Sequence, residues 1–136
     1  MTPELTALAL AGLLQVLQLV IMTIPANLQL GLRKTLGSRD MSTSGSLLFA
    51  ELQPRTARLF RAFNNHFEGL IFFTIAVVVI TLSGKSSEAT QMAAYIYLAA
   101  RIAYVPAYFF GLNPWRSVIW FAGFGATVFI LVISIL

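Results

Sequence analysis

Arg58-Leu-Phe-Arg-Ala-Phe-Asn-Asn-His-Phe-Glu68 runs straight into the apolar segment Gly69 to Leu82. Read as a helix at about 100° per residue, it places Arg58, Arg61, Asn65 and Glu68 within roughly 80° of one another. The result is one polar stripe, cationic where it starts and anionic about 15 Å further along the axis. The stripe enters what reads as a membrane span. Translocon scales put a central Arg or Asp at about 2.5–3.5 kcal/mol, so charge at that depth is expected to be paired, inward-facing and functional.

The rest of the chain agrees. Of its 136 residues, 58% are hydrophobic and 10% charged, where a soluble domain has about 25% charged. Mean hydropathy is +0.82. Four segments are long enough to cross a bilayer, at about 5–32, 58–82, 89–111 and 115–136, with a loop at 33–57. No strand alternation competes with them. The expected fold is therefore all-α, a single four-helix transmembrane domain over 1–136. Cysteine is absent, which excludes disulfides, thiolate metal sites and a protein thiol nucleophile. One histidine and few carboxylates leave no conventional metal site. Any sulfur chemistry must come on a ligand.

The net charge of +4 reports orientation, and nothing in it points to nucleic acid. Arg33, Lys34, Arg39, Arg55, Arg58 and Arg116 fall on the side of the first and third loops; Lys85 and the terminal amine fall on the other. The positive-inside rule places the first and third loops in the cytoplasm and both termini opposite. Met-Thr-Pro-Glu-Leu has no positive n-region and no small-residue cleavage site follows, so the first segment reads as a span and not a signal peptide.

Along the first helix Gln15, Gln18 and Gln29 share a face with Met22, an amide stripe suited to interhelical hydrogen bonds. Pro25 is expected to kink it. The following loop is rich in Ser, Thr and Gly. Its Arg33, Lys34 and Arg39 suit lipid headgroups, or one of them an anionic ligand at the bundle mouth, and Leu47 to Leu52 suits a short interfacial helix. The third helix holds Tyr97, Arg101, Tyr104 and Tyr108 on one face. Arg101 lies as far from the Gly111 end as Glu68 lies from Arg58, so the two reach one depth and predict a buried Glu68–Arg101 ion pair. Pro106 is expected to bend this helix. Asn113 and Pro114 read as N-cap and first position of the fourth helix, which puts Arg116 at a helix N-terminus favourable to anions. Trp115 and Trp120 suit an interfacial belt, and Ala122, Gly123, Gly125 and Ala126 suit close packing within or between subunits. His66 falls off the stripe as a surface or packing residue.

Pooled, Arg58, Arg61, Asn65, Tyr104, Tyr108 and Arg116 form an anion-receptive cavity lined with phenols, with Glu68 and Arg101 as its floor. It suits a small, multiply charged cytosolic ligand meeting an apolar partner dissolved in the bilayer. Arg61-Ala-Phe-Asn-Asn65-His-Phe-Glu68 resembles the Arg-Ala-x-x-Asn-x-x-Glu signature of the MAPEG family, the membrane-associated proteins in eicosanoid and glutathione metabolism. Ala100-Arg101-Ile-Ala-Tyr104-Val-Pro-Ala-Tyr108 is similar to that family's third-helix pattern, and Arg116-Ser117 to the pair opening its fourth helix. Gly37-Ser-Arg-Asp40 is similar to first-loop segments of bacterial members, which implies a bacterial inner-membrane protein.

The resemblance implies a homotrimer of four-helix subunits that binds glutathione, as co-substrate, between protomers near the cytoplasmic face. It implies a transferase or peroxidase acting on lipophilic electrophiles. Arg116, stabilising the glutathione thiolate, and Tyr104 stand as catalytic candidates, with Arg58, Arg61, Asn65, Glu68, Arg101 and Tyr108 as binding ones. The chain departs from eicosanoid-pathway members near Gly31, where those carry an arginine, and at Trp120, where some have tyrosine; no particular eicosanoid substrate is assigned. The alternative is a non-catalytic membrane protein that binds a lipid or anionic metabolite. A small transporter ranks below both, because Glu68 has an expected partner in Arg101 and no internal repeat is visible.

Overall fold

The computed structural model describes residues 1–32 and 52–136. Among them four helices form: α1 (Pro3–Leu30), α2 (Pro54–Ser83), α3 (Glu88–Phe109) and α4 (Trp115–Ile135). The expectations placed on Arg33, Lys34, Arg39, the 37–40 segment and a helix at 47–52 lie outside the described residues, Leu52 excepted. Each helix begins where local chemistry allows. Thr2 accepts from the Leu5 N–H ahead of Pro3 and Glu4, and Ser87 and Thr90 form a reciprocal capping box. Pro54 occupies the first position of α2, where its missing N–H costs nothing. The second helix thus starts before the expected residue 58, and positions 54–57 are its first turn and not loop. Pro114 itself caps α4, with no side-chain bond, so Asn113 is not the N-cap. Both α1 and α3 continue as helices through Pro25 and Pro106.

Three of the four helices are long and apolar enough to cross a membrane. The other, α3, has 22 residues but carries Glu88, Arg101 and all four tyrosines of the chain. The bundle's exterior is apolar, with Leu13, Val16, Phe72, Ile96 and Phe121 exposed, as a lipid-facing surface requires. Its centre is built from small residues around a few large ones. Ala7, Ala11, Ala76, Ala93 and Ala94 admit close helix approach, and Phe73 stacks on Tyr97 with centroids 3.8 Å apart. α2 and α3 occupy the middle, with α1 packed against both on one side and α4 on the other.

Polar side chains stitch these helices together. The Gln15 amide donates to the Phe63 carbonyl at 3.3 Å, Gln18 Nε2 meets His66 Nδ1 at 2.8 Å, and Gln29 donates to Thr56 Oγ1 at 2.8 Å. The amide stripe of α1 therefore faces α2, as its periodicity predicts. His66 is 1% exposed, a packing residue and not a surface one. Where α1 begins and α3 begins, Glu4 is fully buried. One of its carboxylate oxygens accepts from Ser86 Oγ and from Thr90 Oγ1, each at 2.8 Å. This ties α1 to the α2–α3 turn. At the same end Lys85 donates to the Ser134 carbonyl at 3.3 Å.

Candidate functional site

At the opposite end, where α2 starts and α3 ends, lies an open hollow of about 240 Å³. Asn65 of α2, Tyr104 and Tyr108 of α3, and Arg116 of α4 line it. Ser117, Trp120 and Phe121 complete the wall. Four of the eight sequence-derived candidates thus share one space. They do so because Tyr104 and Tyr108 are one helical turn apart on α3, their rings 5.5 Å apart. Arg116 then folds over the second of them, its guanidinium carbon 4.9 Å from the Tyr108 ring centroid. Such a stack holds a cation in place while leaving its N–H edges free.

The Arg116 and Ser117 amides in the first turn of α4 are not open donors. Arg116 N–H goes to the Leu112 carbonyl at 3.0 Å and Ser117 N–H to the Pro114 carbonyl at 2.9 Å. The helix terminus therefore contributes its dipole, and the direct donors at this point are side chains.

Arg101 lies beneath the hollow. It is 3% exposed and donates from Nη1 to Asn65 Oδ1 at 3.1 Å. Its guanidinium carbon sits 5.1 Å from the Tyr97 ring centroid. Gly69 makes its slot, since a Cβ there would stand 2.8 Å from Arg101 Cζ, and Gly123 packs alongside, where a Cβ would make only ordinary contact with Arg101 Nε at 3.7 Å.

The expected Glu68–Arg101 ion pair is not formed within the chain. Glu68 and Arg101 do lie at one depth, since Gly69, next to Glu68, abuts the Arg101 guanidinium. They differ in azimuth. The face of α2 turned toward α3 carries Asn65 and Gly69, one helical turn apart, and Glu68 is rotated about 80° away from its centre. Glu68 is exposed, as is Arg61, and neither lines the hollow.

Arg58 is also elsewhere. Its Nη1 donates to the Phe109 carbonyl at 3.3 Å, where a cation satisfies an orphan carbonyl and the dipole at the end of α3. Its guanidinium takes the space a side chain would need at Gly111, whose φ of 67° already favours glycine. Trp120, expected in an interfacial belt, lines the hollow and stacks on Phe124 at 5.1 Å. Gly69 and Phe121 were missed. Only the spacing of Gly69 from Asn65 hinted at the first, and nothing in the sequence hinted at the second. On another face of α3 and α4, Ala122, Gly125 and Ala126 line an apolar groove of about 450 Å³ with Ala89, Met92, Ala93 and others.

A bundle with an apolar exterior and helices long enough to span a bilayer defines an integral membrane protein, here with a cationic, phenol-lined hollow. The chain belongs to the MAPEG family, whose family model matches residues 7–136. It is thus a membrane protein of the glutathione and eicosanoid metabolism family. Comparison with curated proteins found no match.

Proposed function

We propose that this protein is a membrane-embedded glutathione-dependent transferase or peroxidase acting on lipophilic electrophiles. One observation supports this above the rest: Asn65, Tyr104, Tyr108 and Arg116, from three helices, converge on a hollow of about 240 Å³. Family membership supports glutathione as the co-substrate. In this reading Arg116 faces the sulfur and holds it as thiolate, and Tyr104 donates its phenolic hydrogen there. A free thiol has a pKa of about 8.5, and lowering it by two units takes about 2.7 kcal/mol of preference for the thiolate. A half-buried guanidinium beside a helix N-terminus is of the right size to supply that. The thiolate then forms a C–S bond as an aryl halide loses halide, or forms an S–O bond as the O–O bond of a hydroperoxide breaks. In the second case the alkoxide leaves as alcohol on protonation, and a second glutathione reduces the sulfenic acid to give glutathione disulfide and water.

Exposed Arg61 and Glu68 need cover inside a bilayer. In a homotrimer a neighbouring protomer supplies it and closes the open side of the hollow. The hollow faces the cytoplasm and the termini lie on the other side, in keeping with the loop cations. The chain acts as one transmembrane domain.

The test is thiolate absorbance and aryl-halide conjugation by the purified protein, with and without Arg116→Ala. Wild type is expected to produce a burst of thiolate on glutathione addition. The variant is expected to lose roughly 25-fold in thiolate at about pH 7, as the thiol pKa returns from about 6.5 to about 8.5, while keeping its melting temperature. An unchanged burst removes Arg116 from this role. Binding without conjugation supports the non-catalytic alternative. Because Glu68 has no partner among the described residues, proton-coupled flux in proteoliposomes is the measurement that favours a transporter.

A further inference from the structure

We propose that Arg101 is a positioning residue that locks the Asn65 amide with its oxygen inward, so that the hollow is walled by hydrogen-bond donors and selects ligands with an anionic group. The proposal rests on the hollow being the seat of the ligand. It starts from an asymmetry of chemistry: a guanidinium has donors and no acceptor. The bond from Arg101 Nη1 to Asn65 Oδ1 therefore fixes which end of the amide points down. The Nδ2 group is left on the side of the hollow, with no partner among the described residues.

The lock is rigid. Arg101 is confined by Gly69, Gly123 and the Tyr97 ring, so it cannot swing to another acceptor. An arginine does not shed its proton in a protein. No carboxylate among the described residues pairs with it, so a flipped amide would turn its N–H groups against an uncompensated cation. Above Asn65 the wall continues in the same sense. Arg116 can only donate, the hydroxyls of Tyr104, Tyr108 and Ser117 are free to donate, and no carboxylate lines the space. A ligand that turns an anionic group to this wall satisfies it, and one that turns a neutral thioether or a cation to it does not. Arg101 thus shapes selectivity from below without touching the ligand.

The experiment uses the full chain in detergent, with calorimetric titration of glutathione sulfonate, a non-nucleophilic anion, and of neutral-sulfur S-methylglutathione. Wild type is expected to prefer the sulfonate. Asn65→Asp replaces a donor by an acceptor and gives Arg101 a counter-charge. It is expected to weaken sulfonate binding at least about tenfold while raising Tm by a few degrees. Arg101→Gln is expected to narrow the preference between the two ligands, since either amide can then turn, and Arg101→Lys to restore part of it. A merely structural Arg101 would lower Tm and leave that preference intact. Native sulfonate affinity or a lowered Tm in Asn65→Asp overturns the proposal. If wild type binds neither ligand, the proposed function falls. The Tm of Asn65→Asp then still decides whether Arg101 grips position 65, a rise supporting the lock and a fall rejecting it.

Discussion

Among the described residues the bundle buries one carboxylate, Glu4, and one guanidinium, Arg101, and it treats them differently. Glu4 sits at the first turn of α1, where the helix dipole favours an anion, and two hydroxyls reach one of its oxygens. It lies at an end of the bundle and could become neutral by taking up a proton. Arg101 lies mid-helix in α3, gains nothing from a dipole and cannot become neutral. It has one amide oxygen, one aromatic face and two glycines around it. The difference separates a clasp from a field source. Glu4 closes an end of the molecule on itself, whereas Arg101 leaves positive potential under an open hollow.

Each side of that contrast can be attacked separately. The largest loss of stability is expected from Glu4→Ala, which removes the acceptor shared by the Ser86 and Thr90 hydroxyls and frees the start of α1. About 2–3 kcal/mol follows from losing hydrogen bonds to a charged group, read as a lower Tm in detergent. Conjugation per folded molecule is expected to hold, because Glu4 lies at the far end from the hollow. A fall in conjugation out of proportion to folding would mean the two ends are coupled. Gly69→Ala comes next, at about 1–3 kcal/mol. Its new methyl group drives into the Arg101 guanidinium, so ligand selectivity should fall together with stability, despite the helix propensity gained. A stabilised variant with native selectivity would show that Arg101 is not held in that slot. The smallest effect belongs to Arg58→Ala, about 0.5–1.5 kcal/mol for one bond to the Phe109 carbonyl. Faster amide exchange at the end of α3 is its signature; unchanged exchange there would argue against the capping role.

Much of this molecule is written along single helices. Hydropathy marked the four segments, the spacing of Gln15, Gln18 and Gln29 put their amides on one face, and three-and-four spacing joined Tyr104 to Tyr108. These follow because a helix has a constant rise and turn, so depth and face relative to its own axis can be counted off residue by residue. Counting also brought position 68 to the level of Arg101, and the register was right to within one residue.

How one helix is rolled against the next is another matter. That angle depends on which positions let two backbones approach, and Gly69 and Gly123 take that part around Arg101. The roll gave Arg101 to Asn65, left Glu68 and Arg61 on the outer flank and sent Arg58 to the end of α3. Spacing along a chain carries no information about it. It comes from packing between chain segments distant in sequence, where a missing side chain on one helix makes room for a long one on another.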